Sequence, residues 1–158
     1  GVSAVCKEAQ QIFVSALHAP VGEAARRYLR ERGLSRRIIE RSGIGFAPPD
    51  ALHHHGCKDP ELLADAGLLM GRKFLFAQRI IVPVADEQGR PIGFIGRRLP
   101  GDDKGGKYIN PPATPLYEKN KVLYGLDRAR RALRRRCAKS CRGRRCTRKL
   151  TTRSPPGS

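Results

Sequence analysis

The run Arg79-Ile80-Ile81-Val82-Pro83-Val84-Ala85 leads into Asp86-Glu87-Gln88-Gly89-Arg90 and then Pro91-Ile92-Gly93-Phe94-Ile95-Gly96-Arg97-Arg98-Leu99. This stretch limits the folds open to the chain more than any other feature. β-Branched side chains are stiff at χ1 and suit a pleated surface. Two such runs joined by a short loop with a late glycine specify an antiparallel hairpin. Pro83 has no amide proton to give a neighbouring strand, so the first run lies at a sheet edge or bulges there. Gly93 and Gly96 thin one face of the return strand, as glycine does where another group comes close to the backbone.

The half before this hairpin is written in helices. Val5, Ile12, Phe13 and Leu17 form an apolar stripe over Ser3 to Leu17. Pro20 suits the first turn of a second helix, with Ala24, Ala25, Tyr28 and Leu29 inward and Gly33 ending it. Ser35 caps a third helix that holds Ile38 and Ile39 and closes at Gly43. Asp50 starts a brief helix through His55, and Asp59-Pro60-Glu61 opens a fifth that ends at Gly67. Ile44 to Ala47 is extended, Gly71-Arg72-Lys73 is a turn inside an apolar stretch, and Asp102 to Gly106 is a polar loop. The expected class is α+β: a helical N-terminal half packed on a small, mainly antiparallel sheet.

Charge divides the chain unevenly. Residues 1–127 hold 19 Lys plus Arg against 14 Asp plus Glu, whereas residues 128–158 hold 13 basic residues and no acidic one. Asp127 caps a last helix to about Leu133. Residues 134–158 then carry too little apolar surface to offset their ordering entropy and read as a disordered, arginine-rich tail behind a domain of residues 1–133. No apolar run is long enough to span a bilayer and no secretory leader opens the sequence, so the expected address is cytoplasmic, with no membrane partner. Five cysteines without a Cys-x-x-Cys do not suggest a disulfide framework. His53-His54-His55-Gly56-Cys57 lacks the second ligand pair of a zinc site and reads as the polar surface of a short helix.

A cluster of Arg97, Arg98, Lys107 and Tyr108 is the best candidate for chemistry. Arginine pairs with phosphate oxygens, lysine adds a point charge, and tyrosine stacks on an unpaired base with its hydroxyl wet. From charge and pattern alone, a solvated sheet face accounts for the same residues slightly better.

Order and spacing of short segments add a second line. Ala24-Ala25-x-x-Tyr28-Leu29-x-x-Arg32-Gly33-Leu34 is followed by Ile44-Gly45-Phe46-Ala47-Pro48, Ala66-Gly67-Leu68 and Arg79-Ile80-x-x-Pro83-Val84. Next come Gly89-Arg90-Pro91-Ile92-Gly93-Phe94-Ile95-Gly96-Arg97, Lys107-Tyr108-Ile109-Asn110 and Leu123-Tyr124-Gly125-Leu126. Over roughly a hundred residues this series resembles the N-terminal half of the RNA polymerase core of bacterial DnaG-type DNA primases. The resemblance implies one wall of a groove for a single-stranded DNA template and an RNA primer–DNA duplex. It implies nucleic-acid contacts from Arg32, Arg97, Lys107, Tyr108 and Lys119, with Asn110 orienting the strand or touching the ligand. Arg32 also suits a second role, capping helix carbonyls beside Gly33.

Departures from the family pattern bear on what this chain does alone. Asn110-Pro111-Pro112-Ala113-Thr114 stands where the family has Asn-Ser-Pro-Glu-Thr, and Asn120 replaces a glycine. The resemblance implies a zinc-binding module before this segment and a Toprim domain after it, whose carboxylates hold Mg²⁺ or Mn²⁺ for nucleotidyl transfer. No acidic residue follows Asp127, so neither module is expected within this chain, and a repelled cation cannot assist phosphoryl transfer. NTPs and a replicative helicase are partners implied for the complete enzyme; no catalytic residue and no cofactor are expected here. The expected role is a primase fragment that binds nucleic acid. The rivals are a stand-alone, non-catalytic single-strand-binding protein and a non-functional truncated product. The tail reads as a basic arm, as an inert end, or as the product of a frame shift in a GC-rich gene. The last is favoured because the resemblance stops inside a helix.

Overall fold

The structure is a computed structural model that describes residues 1–101, 105–110, 112–115 and 117. Lys119, the helix expected from Asp127 and the arginine-rich tail lie outside the described residues. Helix α1 spans Val2–His18 and buries Val5, Cys6, Ala9, Phe13 and Leu17, spaced to form one stripe. A 3₁₀ turn at Pro20–Gly22 leads into α2, Glu23–Glu31. Arg26 donates through Nη1 to the carbonyls of Leu17 and of Ala19, the latter at 2.7 Å, and so satisfies the end of α1. In α3, Arg36–Ser42, the Ser35 hydroxyl accepts from the Ile38 amide, and Gly43 at φ 64° closes the helix. The last helix, α4, is Pro60–Asp65, with the Asp59 carboxylate accepting from the Glu61 amide at 2.9 Å. No helix among the described residues is long and apolar enough to cross a membrane.

Among the described residues six strands follow or interleave with the helices. Strand β1 is Gly45–Ala47; β2, Leu69–Met70, and β3, Lys73–Phe74, form a separate two-residue hairpin turned by Gly71 and Arg72. Strands β4, Arg79–Ala85, and β5, Pro91–Arg98, make the expected hairpin, and β6, Tyr108–Ile109, completes the main sheet. Its order is β1-β4-β5-β6, antiparallel throughout. Strand β4 is flanked by β1 and β5, so Pro83 is not on an edge strand. The ladder with β1 ends at Gly45↔Ile81, so among the described residues nothing pairs on that side of Pro83, and the β4–β5 register shifts close by, between Val84 and Ala85.

The sheet is covered unequally on its two faces. On one, Ile81 and Phe94 pack with Phe76, with Val5, Ala9 and Phe13 of α1, and with Leu63 of α4. Phe13 meets Phe94 edge-on at 5.4 Å between ring centres, and a Cβ on Gly45 would lie 2.6 Å from the Phe13 carbonyl carbon. The helix can cross β1 that closely only over glycine. On the other face, Phe46 and Ile80 pack with Leu17, Ala25, Leu29, Ile39 and Ile44, with Tyr28, Val82 and Leu99 at the margin. Ala25 and Leu29 of α2 and Ile39 of α3 lie over Phe46 and Ile80.

Three assignments are corrected, two apolar residues that face solvent and one polar residue that is buried. Ala24 is exposed, because the buried stripe of α2 is Ala25 and Leu29, and Ala24 turns about 100° away. Ile38 is 47% exposed, because the seven-residue α3 presents a single apolar position, Ile39, to the core. His55 is no part of a polar surface. The 3₁₀ turn Ala51–His54 leaves His53 and His54 in solvent, and the extended His55 enters the interior at 1% exposure. Its Nδ1 accepts from the Cys57 amide at 3.0 Å. Nε2 therefore carries the proton and donates to the Val5 carbonyl, also at 3.0 Å. Glu8 Oε1 holds the adjacent Gly56 amide at 2.6 Å, so the histidine-rich loop is stitched to α1.

Candidate nucleic-acid interface

One row of the sheet leads from the core to the candidate site. Phe46 pairs with Ile80, Ile80 with Arg97 and Arg97 with Tyr108. Directly paired residues share a face, so this row begins among buried apolar groups and ends on a cation and a half-exposed tyrosine. Strand β5 delivers Arg97 to the face that α2 only partly covers, and alternation sends Arg98 to the opposite one.

Three groups hold the Arg97 guanidinium. Its Nη1 donates to the Tyr108 hydroxyl, and its central carbon lies 5.0 Å from the Tyr108 ring centre and 5.1 Å from that of Tyr28 on α2. Both distances fall within cation–π range. Its Nε is buried and has no hydrogen-bond acceptor among the described residues. Lys107 Nζ lies 6.0 Å from the Tyr108 ring centre, at the edge of that range. Three surface arginines have carboxylate partners: Arg27 with Glu23, Arg36 with Glu40 and Arg90 with Asp86. Among the described residues neither Arg97 nor Lys107 has one. Positive charge is left uncompensated beside two aromatic rings.

The loop that brings β6 into place is held by two further arginines. Arg79 and Arg98 are cross-strand partners on β4 and β5. Arg79 Nη1 donates to the Gly106 carbonyl at 2.8 Å and Arg98 Nη1 to the Gly105 carbonyl at 2.7 Å. Arg79 is 5% exposed and serves the scaffold rather than a ligand. Gly96 is the point of close approach expected of a strand glycine, and protein fills it: a Cβ there would lie 2.7 Å from the Phe76 ring and 3.0 Å from the Arg79 stem.

The sequence-derived residues sort as follows. Arg97, Lys107 and Tyr108 come together at the outer end of the row. Asn110 is exposed, one residue past β6. Arg32 is exposed at the end of α2, one turn beyond Tyr28, with its amide on the Tyr28 carbonyl at 3.1 Å. The competing role foreseen for Arg32, capping carbonyls at the end of its own helix, has no supporting side-chain hydrogen bond among the described residues; Arg26 makes such bonds at the end of α1 instead. Two contributors escaped the sequence reading. Tyr28 read as a core residue of its helix, and Arg79 as the first residue of a strand. The i, i+4 spacing of Tyr28 and Arg32 was the one visible hint. The divalent ion implied by the resemblance has no ligand set here: no three His, Cys, Asp or Glu residues among those described converge to hold one.

Comparison with known proteins extends this picture. Residues 12–130 match the model of the DNA primase catalytic core, N-terminal domain. The chain is 42% identical over 132 residues to the DNA primase of Chlamydia trachomatis, covering 80% of this chain and 22% of that protein. It thus spans about a fifth of the length of the curated relatives it matches. A solved DnaG primase catalytic domain bound to single-stranded DNA superposes with a TM-score of 0.74 at 37% identity, over 83% of this chain and 43% of that one. The RNA polymerase domain of Mycobacterium tuberculosis DnaG, in complex with a double-stranded DNA oligomer bearing a 6-nucleotide overhang, gives 0.75 at 34%, over 84% and 44%. With the matched region covering most of the sequence and the same fold recurring in these structures, the chain belongs to the family of the DNA primase catalytic core, N-terminal domain.

Proposed function

We propose that this chain is the part of a DNA primase that holds nucleic acid along one wall of the catalytic groove. Arg97, Lys107 and Tyr108 contact a single-stranded DNA template, with Asn110, Arg32 and Lys119 extending the track toward the primer–template duplex. The observation that carries this reading is the pair of cations without carboxylate partners among the described residues, set against a half-exposed tyrosine at the sheet edge. Phosphate oxygens supply the missing counter-charge, and the Tyr108 ring offers a stacking surface that any base can use. Synthesis of RNA primers from NTPs is assigned to the complete enzyme. There a bound divalent ion would neutralise charge at the transferring phosphoryl group. This chain's share is to bind and orient.

Binding of a fluorescein-labelled oligothymidylate to the whole chain, followed by anisotropy across a salt series, tests the reading. Affinity falls steeply with salt. The double variant Arg97→Ala/Lys107→Ala lowers the slope of log K against log[salt] by roughly 1.4, about 0.7 for each lost phosphate contact. Removal of residues 137–158 weakens binding generally but leaves the preference for single strands over duplex. Salt-independent binding, or a preference that vanishes with the tail alone, would return this sheet face to the status of ordinary solvated surface. Primer synthesis by this chain with NTPs and Mg²⁺ or Mn²⁺ is expected to be undetectable. Product that depended on Lys107 would reassign the chain as an enzyme in its own right.

A further inference from the structure

Arg97 is an unusual cation, because one of its donors is sealed from water without a partner. Burial of Nε removes its hydration, and no acceptor among the described residues replaces it. Such a group is costly unless something else stabilises the charge. What faces the guanidinium is the pair of rings, Tyr28 at 5.1 Å and Tyr108 at 5.0 Å. Tyr108 is 52% exposed at the sheet edge and doubles as a ligand surface. Tyr28 is half-buried, anchored by the Ala25 and Leu29 stripe of α2, and comes from a different element.

We propose that Tyr28 is a positioning residue: its ring face stabilises the Arg97 charge and fixes the guanidinium so that its remaining terminal nitrogen points out of the sheet toward phosphate. This rests on the reading of Arg97 as a template contact. One N–H of Nη1 goes to the Tyr108 hydroxyl and Nε is buried, so Nη2, with its two N–H groups, is the nitrogen without a partner among the described residues. Arg97 then presents Nη2, rather than the Nε–Nη fork, as its donor to phosphate. The orientation of that donor depends on the ring beneath it. Packing alone asks only for apolar bulk at position 28, which leucine also supplies; supporting a cation asks for a π face.

The test uses the full chain and the same oligothymidylate. Tyr28→Phe keeps affinity within about twofold. Tyr28→Leu weakens it roughly threefold to tenfold, the range expected for a partly desolvated cation–π contact. Tyr28→Leu combined with Arg97→Ala binds no more weakly than Arg97→Ala alone, since both act through one group. If Arg97→Ala leaves affinity unchanged, the template-contact reading falls and this inference with it. If Arg97→Ala weakens binding while Tyr28→Leu does not, or their effects add, only the positioning role is overturned. A measurement on the unaltered protein guards against misfolded variants. Two rings over the guanidinium shift the Arg97 Hε resonance upfield of other arginines and its burial slows exchange; an ordinary, fast-exchanging Hε would overturn the proposal.

Discussion

Arg79, at the start of the central strand, reaches across the sheet to the backbone of Gly106, and its Nη1 donates to that carbonyl at 2.8 Å. The bond joins the best-buried arginine among the described residues to the loop just ahead of Lys107 and Tyr108. The position of the candidate binding residues is therefore set in part from inside the core.

Arg79→Ala consequently affects binding without touching a ligand. We expect a stability loss of about 1.5–3 kcal/mol, the range for a hydrogen bond to a charged group, together with weaker oligothymidylate binding. Arg79→Lys, which keeps the charge but lacks the guanidinium fork, recovers stability better than affinity. Urea midpoints and anisotropy on the same samples check the two effects separately.

The hairpin turn gives a pH signature. Partial burial by itself raises the Asp86 carboxyl, but the Arg90 and Gln88 amides and the Arg90 guanidinium outweigh it and hold the carboxyl below its ordinary value. A depressed native pKa means that ionisation favours folding. Its contribution is present above the unfolded value near pH 4 and is lost as pH falls through the lower native one. Asp86→Asn therefore lowers the thermal midpoint at pH 7, and the gap to the unaltered protein narrows below about pH 4. A constant gap across that window would count against the assignment.

Elements marked by local chemistry were legible in the sequence, and contacts between elements were not. Ser35, Gly43, Asp59 and the Asp86–Arg90 loop announce their turns and caps because those geometries are decided within a few residues. Ala24 and Ile38 were misplaced because neither α2 nor α3 is long enough for its periodicity to separate neighbouring positions. His55 was misread because its partners, Val5 and Cys57, belong to packing 50 residues away and to a turn too short to show a pattern. Arg97 and Tyr108 were visible as a cation and an aromatic at strand spacing. That Tyr28 completes them follows only from where α2 lands on the sheet.

Gly45→Ala tests how α1 lands on the opposite face. The added methyl meets the Phe13 backbone, which cannot rotate away as a side chain could. A loss of about 3 kcal/mol, at the upper end of typical overpacking, is expected in denaturant titration. Gly33→Ala is a useful contrast: the space around it is open, and its cost comes from φ 78° alone.

Two cysteines report on the same core. Burial pushes the Cys6 thiol up to about 11, whereas Cys57 is only half-buried. Of these two, iodoacetamide at pH 8 followed by peptide mass spectrometry should find Cys57 modified before Cys6, with Cys6 spared until the protein unfolds. Because the native thiol holds its proton more tightly than the unfolded one, Cys6 lowers stability progressively as pH rises from about 9 to about 11.

Strand β6 joins the sheet through only two residue pairs, Gly96↔Ile109 and Arg97↔Tyr108. A ladder that short opens at little free-energy cost. Two of the proposed ligand contacts, Lys107 and Tyr108, ride on it or beside it. Template binding and closure of the ladder thus draw on one equilibrium, and each must strengthen the other by the same factor. Amide hydrogen exchange at Arg98, whose N–H donates to the Lys107 carbonyl at 3.0 Å, becomes a thermometer for occupancy of the groove.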